Sequence, residues 1–355
     1  MTGRRALWVS TGLTTRGGVS SCVRTFQGTP LWEMWSIRHV ATHRDGSAVT
    51  RILAFLRGLG AYLYAVTVHR PDVVHLHMAS YGSFIRKATL ARIARLLRLP
   101  VVLHIHGSEF ALFHERAPRL LQRIIVATLT DARAVVALGD RWARRLREIA
   151  PAASITVIPN AIPIGEPVSQ PGEHEDVHVV FLGAIGDRKG AFTLLDAWGQ
   201  VVGPGGAAAR LTIAGDGEIS RARTAIGRLG LGDSVEIRTW MTPAQTRELL
   251  RSAHVLVLPS RDEGQPMAVL EAMANGLCVV ASTAGGIPDL IVDGTSGVLI
   301  PHSDVDALAD ALRRVLTDHE TRARLGTGAL ERARQNFDVD VVWKRFDLLY
   351  REVLG

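Results

Sequence analysis

One stretch of the chain joins an apolar run to a helix through a polar loop, and it reads Pro259-Ser260-Arg261-Asp262-Glu263-Gly264-Gln265-Pro266-Met267-Ala268-Val269-Leu270-Glu271-Ala272-Met273-Ala274-Asn275-Gly276. The apolar run that ends at Pro259 predicts a buried strand. Pro266 is typical of the start of a helix, and Gly276 is typical of the residue after its end. A strand, a loop and a helix in this order form the repeating unit of a parallel α/β sheet.

The loop and the helix start of this stretch carry groups that can bind a phosphorylated ligand. Backbone N–H groups at a helix start attract phosphate through their partial positive charge, and here they belong to Gly264, Gln265 and the residues after Pro266. Glu271 lies over a turn into the helix, where its carboxylate can hold two neighbouring ribose hydroxyls, and Glu263 lies in the loop. From the residues alone, both glutamates are equally compatible with a capping or solvated role.

The same alternation of strand and helix extends over all 355 residues and predicts doubly wound α/β architecture. The strands predicted in the first half are Leu7–Ser10, Ser36–Val40, Val73–His77, Val101–His106, Ala134–Leu138 and Ile155–Ile158. Those predicted in the second half are Val177–Gly183, Arg210–Gly215, Val235–Ile237, Val255–Pro259, Cys278–Ala281 and Gly297–Ile300. The predicted helices include Val49–His69, Ser83–Leu97, Arg119–Thr130, Arg141–Ile149, Asp304–Thr317, Glu320–Gln335 and Val339–Val353.

A segment without periodicity divides this pattern in two. Residues 159–176 include four prolines, a composition typical of a linker between domains. We therefore predict two Rossmann-like doubly wound domains, residues 1–165 and residues 166–337, that face each other across a cleft. The cleft at the strand ends is the expected ligand site.

The charge is distributed unevenly between the two halves. Residues 1–170 contain 22 Arg and Lys against 9 Asp and Glu, whereas the remainder contains 19 against 25. A basic first half favours an anionic partner, and nucleic acid, anionic lipid and a phosphorylated acceptor all fit. The apolar fraction of 47% excludes a disordered chain.

Targeting signals and cysteines bear on the location of the protein. The chain has two cysteines without paired spacing, which indicates a reduced compartment. No secretory signal follows Met1, and no run reaches about 18 uninterrupted apolar residues. We therefore expect a cytoplasmic protein, either free or on the inner face of a membrane.

Four histidines alternate along two predicted strands, at His75 and His77 and at His104 and His106. Residues at i and i+2 share a strand face, so the four imidazoles are candidates for a metal site. No Asp or Glu completes a recognisable ligand set. We therefore predict no metal, and we interpret His75 and His104 as structural.

A second motif, Phe181-Leu182-Gly183-Ala184-Ile185-Gly186-Asp187-Arg188-Lys189-Gly190, again combines a strand, a loop and a helix start. Arg188 and Lys189 are placed to neutralise a diphosphate, or else they are two exposed cations beside a helix. Gly215 follows another predicted strand, where a backbone without a side chain allows close approach to a nucleotide. The pair Gly17–Gly18 follows the first strand and is, by itself, an ordinary turn signal.

Together these motifs resemble the family 4 retaining glycosyltransferases of the GT-B fold. The resemblance rests on two glutamates separated by seven residues and followed by Ala-Met-Ala, on Leu258-Pro259-Ser260 before them, and on Gly285-Gly286-Ile287-Pro288-Asp289 after them. It implies transfer of a sugar from a nucleoside-diphosphate sugar, UDP being a common donor nucleotide in the family, to an acceptor hydroxyl. It implies retention at the anomeric carbon and no metal or other cofactor. It also implies an acceptor-binding first domain, a donor-binding second domain and a helix at 338–355 that crosses back to the first.

The resemblance assigns roles in the predicted donor domain. Glu271 would bind the ribose and Glu263 a hydroxyl of the donor sugar. Arg188, Lys189 and the helix following Gln265 would hold the leaving diphosphate. The family usually has arginine directly after the strand glycine, where this chain has Ala184, and we expect Arg188 to take that role.

Further roles implied by the resemblance lie on both sides of the linker. Gly17 and Gly18 resemble the turn that admits the donor phosphates and sugar, and Gly215 with Met241 lies in segments similar to those around the nucleotide. His106, in His106-Gly107-Ser108-Glu109, resembles the histidine that faces the donor sugar. His77 and Glu109 are the candidate acceptor contacts.

The expected partners are a nucleotide-sugar donor and a sugar or lipid-linked acceptor in polysaccharide, glycolipid or other glycoconjugate biosynthesis, and no nucleic acid. The basic stretch Arg86–Arg98 predicts either a solvated helix or peripheral association with an anionic membrane surface. Three alternatives stay open: a small soluble acceptor such as an amino sugar, sugar phosphate or natural product; a nucleotide-sugar 2-epimerase; and a basic binding protein with a degenerate transferase domain.

Overall fold

The computed structural model describes residues 4–172, 175–202 and 209–355. The chain forms two compact units, one of Met1–Ala161 with Val339–Gly355 and the other of Ile162–Asp338. The chain therefore passes between the units after Ala161 and after Asp338. Residues 173 and 174 of the predicted linker lie outside the described residues.

The first unit is built on a parallel six-stranded sheet in the order β2-β1-β3-β4-β5-β6. Its strands are β1 (Ala6–Ser10), β2 (Arg38–Ala41), β3 (Val73–Met78), β4 (Val101–Ile105), β5 (Ala134–Ala137) and β6 (Ile155–Val157). Its helices are α1 (Gly18–Gln27), α2 (Pro30–Met34), α3 (Ala48–Tyr64), α4 (Gly82–Leu96), α5 (Phe110–Arg116), α6 (Arg119–Thr130), α7 (Asp140–Ile149) and α15 (Val339–Leu354).

Helices cover both faces of this sheet. Alternate strand residues such as Leu76 and Leu103 pack in one core with α3, α4 and α6. The intervening residues, among them Trp8 and Val102, pack in a second core with α1, α2 and Phe346 of α15. The segment Val339–Leu354 thus supplies one wall of the first unit, although it follows the second unit in sequence.

Helix α3 continues directly into a π-helical turn, Ala65–His69. The helix from Ala48 to His69 has a mean hydropathy of 1.4 but is only 22% buried, and it is long and apolar enough to cross a membrane by length and composition. Arg51 and Arg57 interrupt its apolar run, so the helix contains no stretch of about 18 uninterrupted apolar residues.

Helix α4, which contains most of the basic stretch Arg86–Arg98, buries a different set of residues from the set expected for a solvated or membrane-associated helix. Its buried residues are Phe84, Lys87, Leu90, Ala91 and Ala94. The apolar residues at the end of the basic stretch, Leu96 and Leu97, are exposed and do not extend this buried side. Lys87, which is 1% exposed, therefore departs from the expectation of a helix whose cations face solvent or a membrane.

The second unit is built on another parallel six-stranded sheet, in the order β12-β11-β10-β7-β8-β9. Its strands are β7 (Val177–Leu182), β8 (Ala209–Ala214), β9 (Val235–Arg238), β10 (Val255–Leu258), β11 (Cys278–Ser282) and β12 (Val298–Ile300). Its helices are α8 (Ala191–Val201), α9 (Ile219–Leu229), α10 (Pro243–Arg251), α11 (Met267–Ala274), α12 (Ile287–Leu290), α13 (Val305–Thr317) and α14 (His319–Asn336), and a 3₁₀ turn spans Asp187–Lys189.

The described part of the predicted linker is fastened to the second unit. Gln170 donates from its side-chain amide to the carbonyls of His254 and Gly276. The buried guanidinium of Arg322 donates to Gln170 Oε1 and to the Pro171 carbonyl. The proline-rich composition therefore marks a segment without periodicity, but side-chain hydrogen bonds hold it in place.

Each predicted strand occurs in the structure, with its bounds shifted by two residues or fewer. The prediction of two Rossmann-like doubly wound domains is confirmed.

Candidate active site

A lysine and a glutamate from different loops meet at the carboxyl edge of the second sheet. Lys189, in the 3₁₀ turn after β7, places Nζ 2.5 Å from Oε1 of Glu263, in the loop after β10. Both side chains are largely buried, at 17% and 6% exposure. Ser260 donates to the same carboxylate oxygen over 2.8 Å. The carboxylate thus has two partners on one oxygen, and its position is fixed.

Two glycines of the Gly285–Gly286 motif hold the backbone of Glu263. Gly286 donates its N–H to the Glu263 carbonyl over 3.1 Å. A Cβ on Gly285 would lie 1.8 Å from that carbonyl oxygen, and Gly285 has a φ of +51°. Only glycine fits at this position, which gives the sequence motif a steric reason.

The loop of the Pro259–Gly276 stretch leads into the start of α11. Gly264, Gln265 and Pro266 are buried there, and Pro266 is the N-cap of the helix. Glu271 lies four residues into α11 and is half-buried. The predicted phosphate-binding residues thus lie at a helix N-terminus as expected, next to the Lys189–Glu263 pair in sequence and structure.

Arg188 occupies a different environment from Lys189. Its side chain is exposed, and Nη1 donates to the Asp262 carbonyl over 3.3 Å. Its own carbonyl accepts the N–H of Arg261 over 2.8 Å. These contacts fasten the Asp187–Lys189 turn to the loop after β10, while Ala184 is exposed. The family usually has an arginine at the position of Ala184. That Arg188 takes over the role of that arginine stays a prediction.

Gly215 and Met241 border the same edge of the second sheet. Gly215 has a φ of +159°, and a Cβ on it would lie 1.8 Å from the Gly183 carbonyl oxygen. Met241 is half-buried, and it lines a cavity of about 430 Å³ together with Arg238, Trp240 and Gln245. The structure therefore offers a recess beside Met241, in a segment that resembles those around the nucleotide.

In the first unit, Gly17 and Gly18 form the start of α1. Gly17 is the N-cap residue, with a φ of +130°, and both glycines are exposed. The Ser20 hydroxyl donates to the carbonyls of Thr15 and Gly17, which closes the turn. No acidic side chain lies in the first turn of the helix. An exposed helix start with no acidic residue in its first turn suits an anionic group. The carboxylate of Asp45 lies just before it, where it accepts the N–H of Arg16 over 2.9 Å.

The predicted structural histidines belong to a directed hydrogen-bond chain. Trp8 Nε1 donates to the Tyr350 hydroxyl over 2.8 Å, and that hydroxyl contacts His75 Nδ1. His75 Nε2 lies 3.2 Å from Nδ1 of His104. Because the indole can only donate, the tyrosine donates onward to His75, and His75 then donates to His104. This assigns a neutral tautomer to both imidazoles.

The other two histidines pair with each other. His77 Nδ1 lies 2.9 Å from His106 Nε2, and the two rings stack. Burial lowers the pKa of His106 to about 3 and that of His75 to about 3, and it holds the pKa values of His77 and His104 well below 6.5. All four imidazoles are therefore neutral at physiological pH. Glu109 is half-buried at the N-cap of α5, three residues after His106.

Three of these histidines also meet the distance requirement for a metal site. One nitrogen each of His75, His77 and His104 lies within 4.8 Å of the others. In the described part of the chain, no carboxylate or cysteine joins them. The Trp8–Tyr350–His75–His104 chain occupies Nδ1 of His75 and of His104, so those nitrogens ligate an ion only if that chain breaks.

Lys87 is a candidate site residue that no sequence motif predicts. Lys87 is 1% exposed, and its ammonium donates to Oγ1 of Thr42, directly after β2, over 2.6 Å. Burial, with Arg86 nearby, lowers the pKa of Lys87 to about 7. The signal that identifies it is the helical spacing 84, 87, 90, 91 and 94, which puts a lysine on the core side of α4.

Two further hydroxyls are buried where strands of the first sheet end. Oγ1 of Thr11, after β1, and Oγ of Ser80, after β3, are buried and accept or donate no hydrogen bond within the described residues. Nε of Arg86 is likewise buried without a partner there. Unpaired buried donors and acceptors are costly, so this edge suits a ligand rich in hydroxyls or phosphate.

Two family models match the chain, one for each unit. Residues 3–161 match a glycosyl transferase 4-like domain, and residues 176–318 match the glycosyl transferases group 1 domain. Among curated proteins, a 2-deoxystreptamine N-acetyl-D-glucosaminyltransferase of Streptomyces fradiae is 27% identical over 81% of this chain and 72% of that protein. A putative colanic acid biosynthesis glycosyltransferase of Salmonella typhimurium is also 27% identical, with the same coverage of both chains.

Solved structures share the fold. The sucrose-phosphate synthase of Thermosynechococcus elongatus superposes with a TM-score of 0.81 at 19% identity, over 99% of both chains. The Anabaena protein HepE in complex with UDP-glucose superposes with a TM-score of 0.78 at 20% identity, over 98% of this chain and 99% of that one. At these identities the likeness shows the architecture alone.

Proposed function

Since this chain belongs to the family 4 glycosyltransferases of the GT-B fold, we propose that it transfers a sugar from a UDP-sugar to an acceptor hydroxyl with retention at the anomeric carbon. It is a glycosyltransferase by family, and the proposal concerns the donor, the stereochemistry and the acceptor. UDP is chosen because HepE, a protein of the same fold, is known in complex with UDP-glucose.

The Lys189–Glu263 pair carries the proposal. A buried ammonium within 2.5 Å of a buried carboxylate, beside a helix N-terminus, offers a positive group for a leaving diphosphate and a negative group for sugar hydroxyls. Glu271, half-buried on α11, is the proposed ribose ligand. The recess at Met241 is the proposed site of the base.

The proposed reaction is balanced without a protein base. The bond between the anomeric carbon and the β-phosphate oxygen breaks, and the electron pair leaves with the diphosphate. The acceptor oxygen bonds to the same face of that carbon, and its proton passes to an oxygen of the leaving phosphate. Lys189, Arg188 and the N-terminus of α11 stabilise the developing charge, so the scheme requires no metal.

The neutral imidazole of His106 has a positioning role in this scheme. Burial keeps it uncharged, so it exchanges hydrogen bonds with a donor-sugar hydroxyl without a proton being lost or gained. Its partner His77 holds it over 2.9 Å. Gly17 and Gly18, at the start of α1, are the proposed contacts of the donor phosphates.

The proposed acceptor is a polyhydroxylated molecule, lipid-linked or part of a growing polysaccharide. The unpaired hydroxyls of Thr11 and Ser80, together with Lys87, support a hydroxyl-rich and anionic acceptor at the first sheet. A small soluble acceptor is the second candidate, because the Streptomyces fradiae relative is by name a transferase to the aminocyclitol 2-deoxystreptamine.

A thermal-shift screen tests the donor site. UDP, GDP, ADP and their common sugar conjugates are added to the wild type and to Glu271→Ala, because a ligand at about 100 times its dissociation constant adds roughly 2.7 kcal/mol of stability. We expect a clear shift with UDP and its conjugates that Glu271→Ala abolishes. The exposed glutamate variant Glu331→Ala is the matched control, and it should respond as the wild type does.

A shift with GDP or ADP alone would overturn the choice of UDP. The absence of any nucleotide shift well above millimolar concentration would overturn the sugar-nucleotide donor itself. The anomeric configuration of the product, read by NMR, tests retention. Release of an epimerised sugar without any acceptor would favour the 2-epimerase alternative, and activity that survives EDTA supports the metal-independent scheme.

A further inference from the structure

Helix α3 and its π turn expose an apolar stripe to solvent. Seven of their large apolar side chains are 39% to 65% exposed. They are Val49, Ile52, Leu53, Leu56, Leu63, Tyr64 and Val68. Their spacing of three or four residues places most of them on one side of the helix. Large contiguous apolar surfaces on soluble domains mark interaction sites, so this stripe needs a partner.

The opposite side of α3 is already occupied by the sheet. Tyr62, Ala65 and Val66 are buried in the core beneath it. A Cβ on Gly58 would lie 2.4 Å from the Ala41 carbonyl oxygen, so the helix backbone rests directly on the segment after β2. The helix therefore cannot turn its apolar stripe inward, and it cannot leave the sheet to span a bilayer without breaking this packing.

Basic side chains surround the stripe and acidic ones are absent from it. The sequence contains no Asp or Glu between Gly46 and Pro71, nor within α4 or α6. The Tyr62 hydroxyl donates to the Leu90 carbonyl over 2.7 Å, which joins α3 to α4 on the same sheet face. The exposed cations of the three helices include Arg51, Arg57, Arg92, Arg95, Arg119 and Arg123.

We propose that the exposed sides of α3, α4 and α6, here called the apolar–basic surface, dock on a membrane that contains anionic lipid. Helix α3 lies in the plane of the interface, with Leu53 and Leu56 in the acyl boundary and Arg51 and Arg57 at the phosphate level. Apolar side chains flanked by arginines are complementary to an apolar layer beneath anionic head groups. The carboxylate of Asp131, at the C-cap of α6, is neutralised by an ion pair with Arg95. A folded protein partner would have to present an apolar surface bordered by anionic groups, which a membrane with anionic lipid provides without further structure.

Vesicle co-sedimentation of the full chain tests the proposal. The vesicles contain either phosphatidylcholine alone or phosphatidylcholine with phosphatidylglycerol. We expect binding to the anionic vesicles that weakens as salt is raised, and much weaker binding to the neutral ones. Leu53→Ser with Leu56→Ser should weaken binding about tenfold or more, because two exposed apolar side chains lose their place in the lipid.

A charge variant and two matched controls complete the set. Arg51→Gln with Arg57→Gln should weaken binding to anionic vesicles by about tenfold or more. Leu348→Ser removes an equally exposed leucine from α15, and Arg223→Gln with Arg247→Gln removes two exposed arginines from the second unit. Both controls should bind as the wild type does. Equal losses in the controls would overturn the assignment to the apolar–basic surface.

Other outcomes also overturn the proposal. Equal binding to neutral and anionic vesicles would show that the arginines do not select anionic lipid. Absence of binding to both would show that the surface does not dock on a membrane. A concentration-dependent dimer that Leu53→Ser with Leu56→Ser abolishes, without vesicle binding, would assign the surface to a second copy. Resistance of bound protein to alkaline carbonate would mean a spanning helix instead of an interfacial one.

Hydrogen exchange on the wild type keeps the test independent of the variants. Anionic vesicles should slow amide exchange within Ala48–His69 and leave the second unit unchanged. If protection appears only elsewhere in the chain, α3 is not the docking element, whether or not the leucine variant folds.

Discussion

The hydroxyl of Tyr350 lies against Nδ1 of His75, and it accepts the indole N–H of Trp8 over 2.8 Å. These contacts join α15 to β3 and β1 within the first unit. Tyr350→Phe would leave Trp8 Nε1 and His75 Nδ1 buried without partners. We expect the free energy of unfolding to fall by about 2 kcal/mol or more.

Urea unfolding measures this loss, with Tyr64→Phe as the control because that ring is 58% exposed. The control should change stability by about 0.5 kcal/mol or less. If Tyr350→Phe is equally mild, the hydrogen-bond chain through His75 does not hold α15 in place.

The Lys189–Glu263 contact predicts coupled losses of activity. Lys189→Met and Glu263→Gln should each lower kcat/KM by about 100-fold or more, because each removes a group that faces charge developing in the transition state. The double variant should lose far less than the product of the two single losses, since the residues act as a unit. Release of UDP from the donor provides the rate. Multiplicative losses would show that the two side chains act independently, and the exposed Arg223→Gln should retain full activity.

The buried Lys87 is expected to make the free energy of unfolding depend on pH. Burial lowers its pKa from 10.5 to about 7, so between these values the unfolded chain binds more protons than the folded one. Stability therefore rises with pH across this window. Lys87→Met removes the cost of burying the charged ammonium. Within this window, the free energy of unfolding of the variant should therefore exceed that of the wild type most near pH 7, and the difference should shrink toward pH 10.

Thermal melting from pH 7 to pH 10 checks the difference between the Lys87 variant and the wild type. Lys344→Met, at an exposed lysine, should show no such trend. A constant difference between Lys87→Met and the wild type at every pH would mean that the Lys87 ammonium is solvated in the folded protein.

Substitution of His106 is expected to lower the activity without changing its pH profile. Because burial lowers its pKa to about 3, the imidazole stays neutral at pH 5 and above. His106→Asn should lower kcat/KM about tenfold through loss of a hydrogen bond, with the same profile shape between pH 5 and 8. The exposed His302→Asn serves as control. An acidic limb near pH 6 that disappears in His106→Asn would show that this imidazole titrates during turnover.

The inner strands were predictable because they are buried on both faces, which requires largely apolar runs such as Val255–Leu258. The edge strands β2, β6, β9 and β12 are partly exposed. The Lys189–Glu263 contact was predictable only as two separate motifs, since a sequence separation of 74 positions gives no distance between the side chains. Lys87 was misassigned because a lysine on a helix is usually solvated, and only tertiary packing supplies its Thr42 partner. The exposure of Leu96 has the same origin, because periodicity does not reveal which side of a helix the sheet occupies.

The position of α15 determines the order in which the two units can be completed during synthesis. Phe346 and Tyr350 fill one core of the first unit, yet the ribosome makes them after every residue of Ile162–Asp338. The second unit can therefore reach its native state while the earlier-translated unit still lacks Phe346, which packs against Trp8 of the sheet and Phe26 of α1. A nascent chain of this enzyme would present the apolar surface that Phe346 later covers to chaperones throughout translation of its second half.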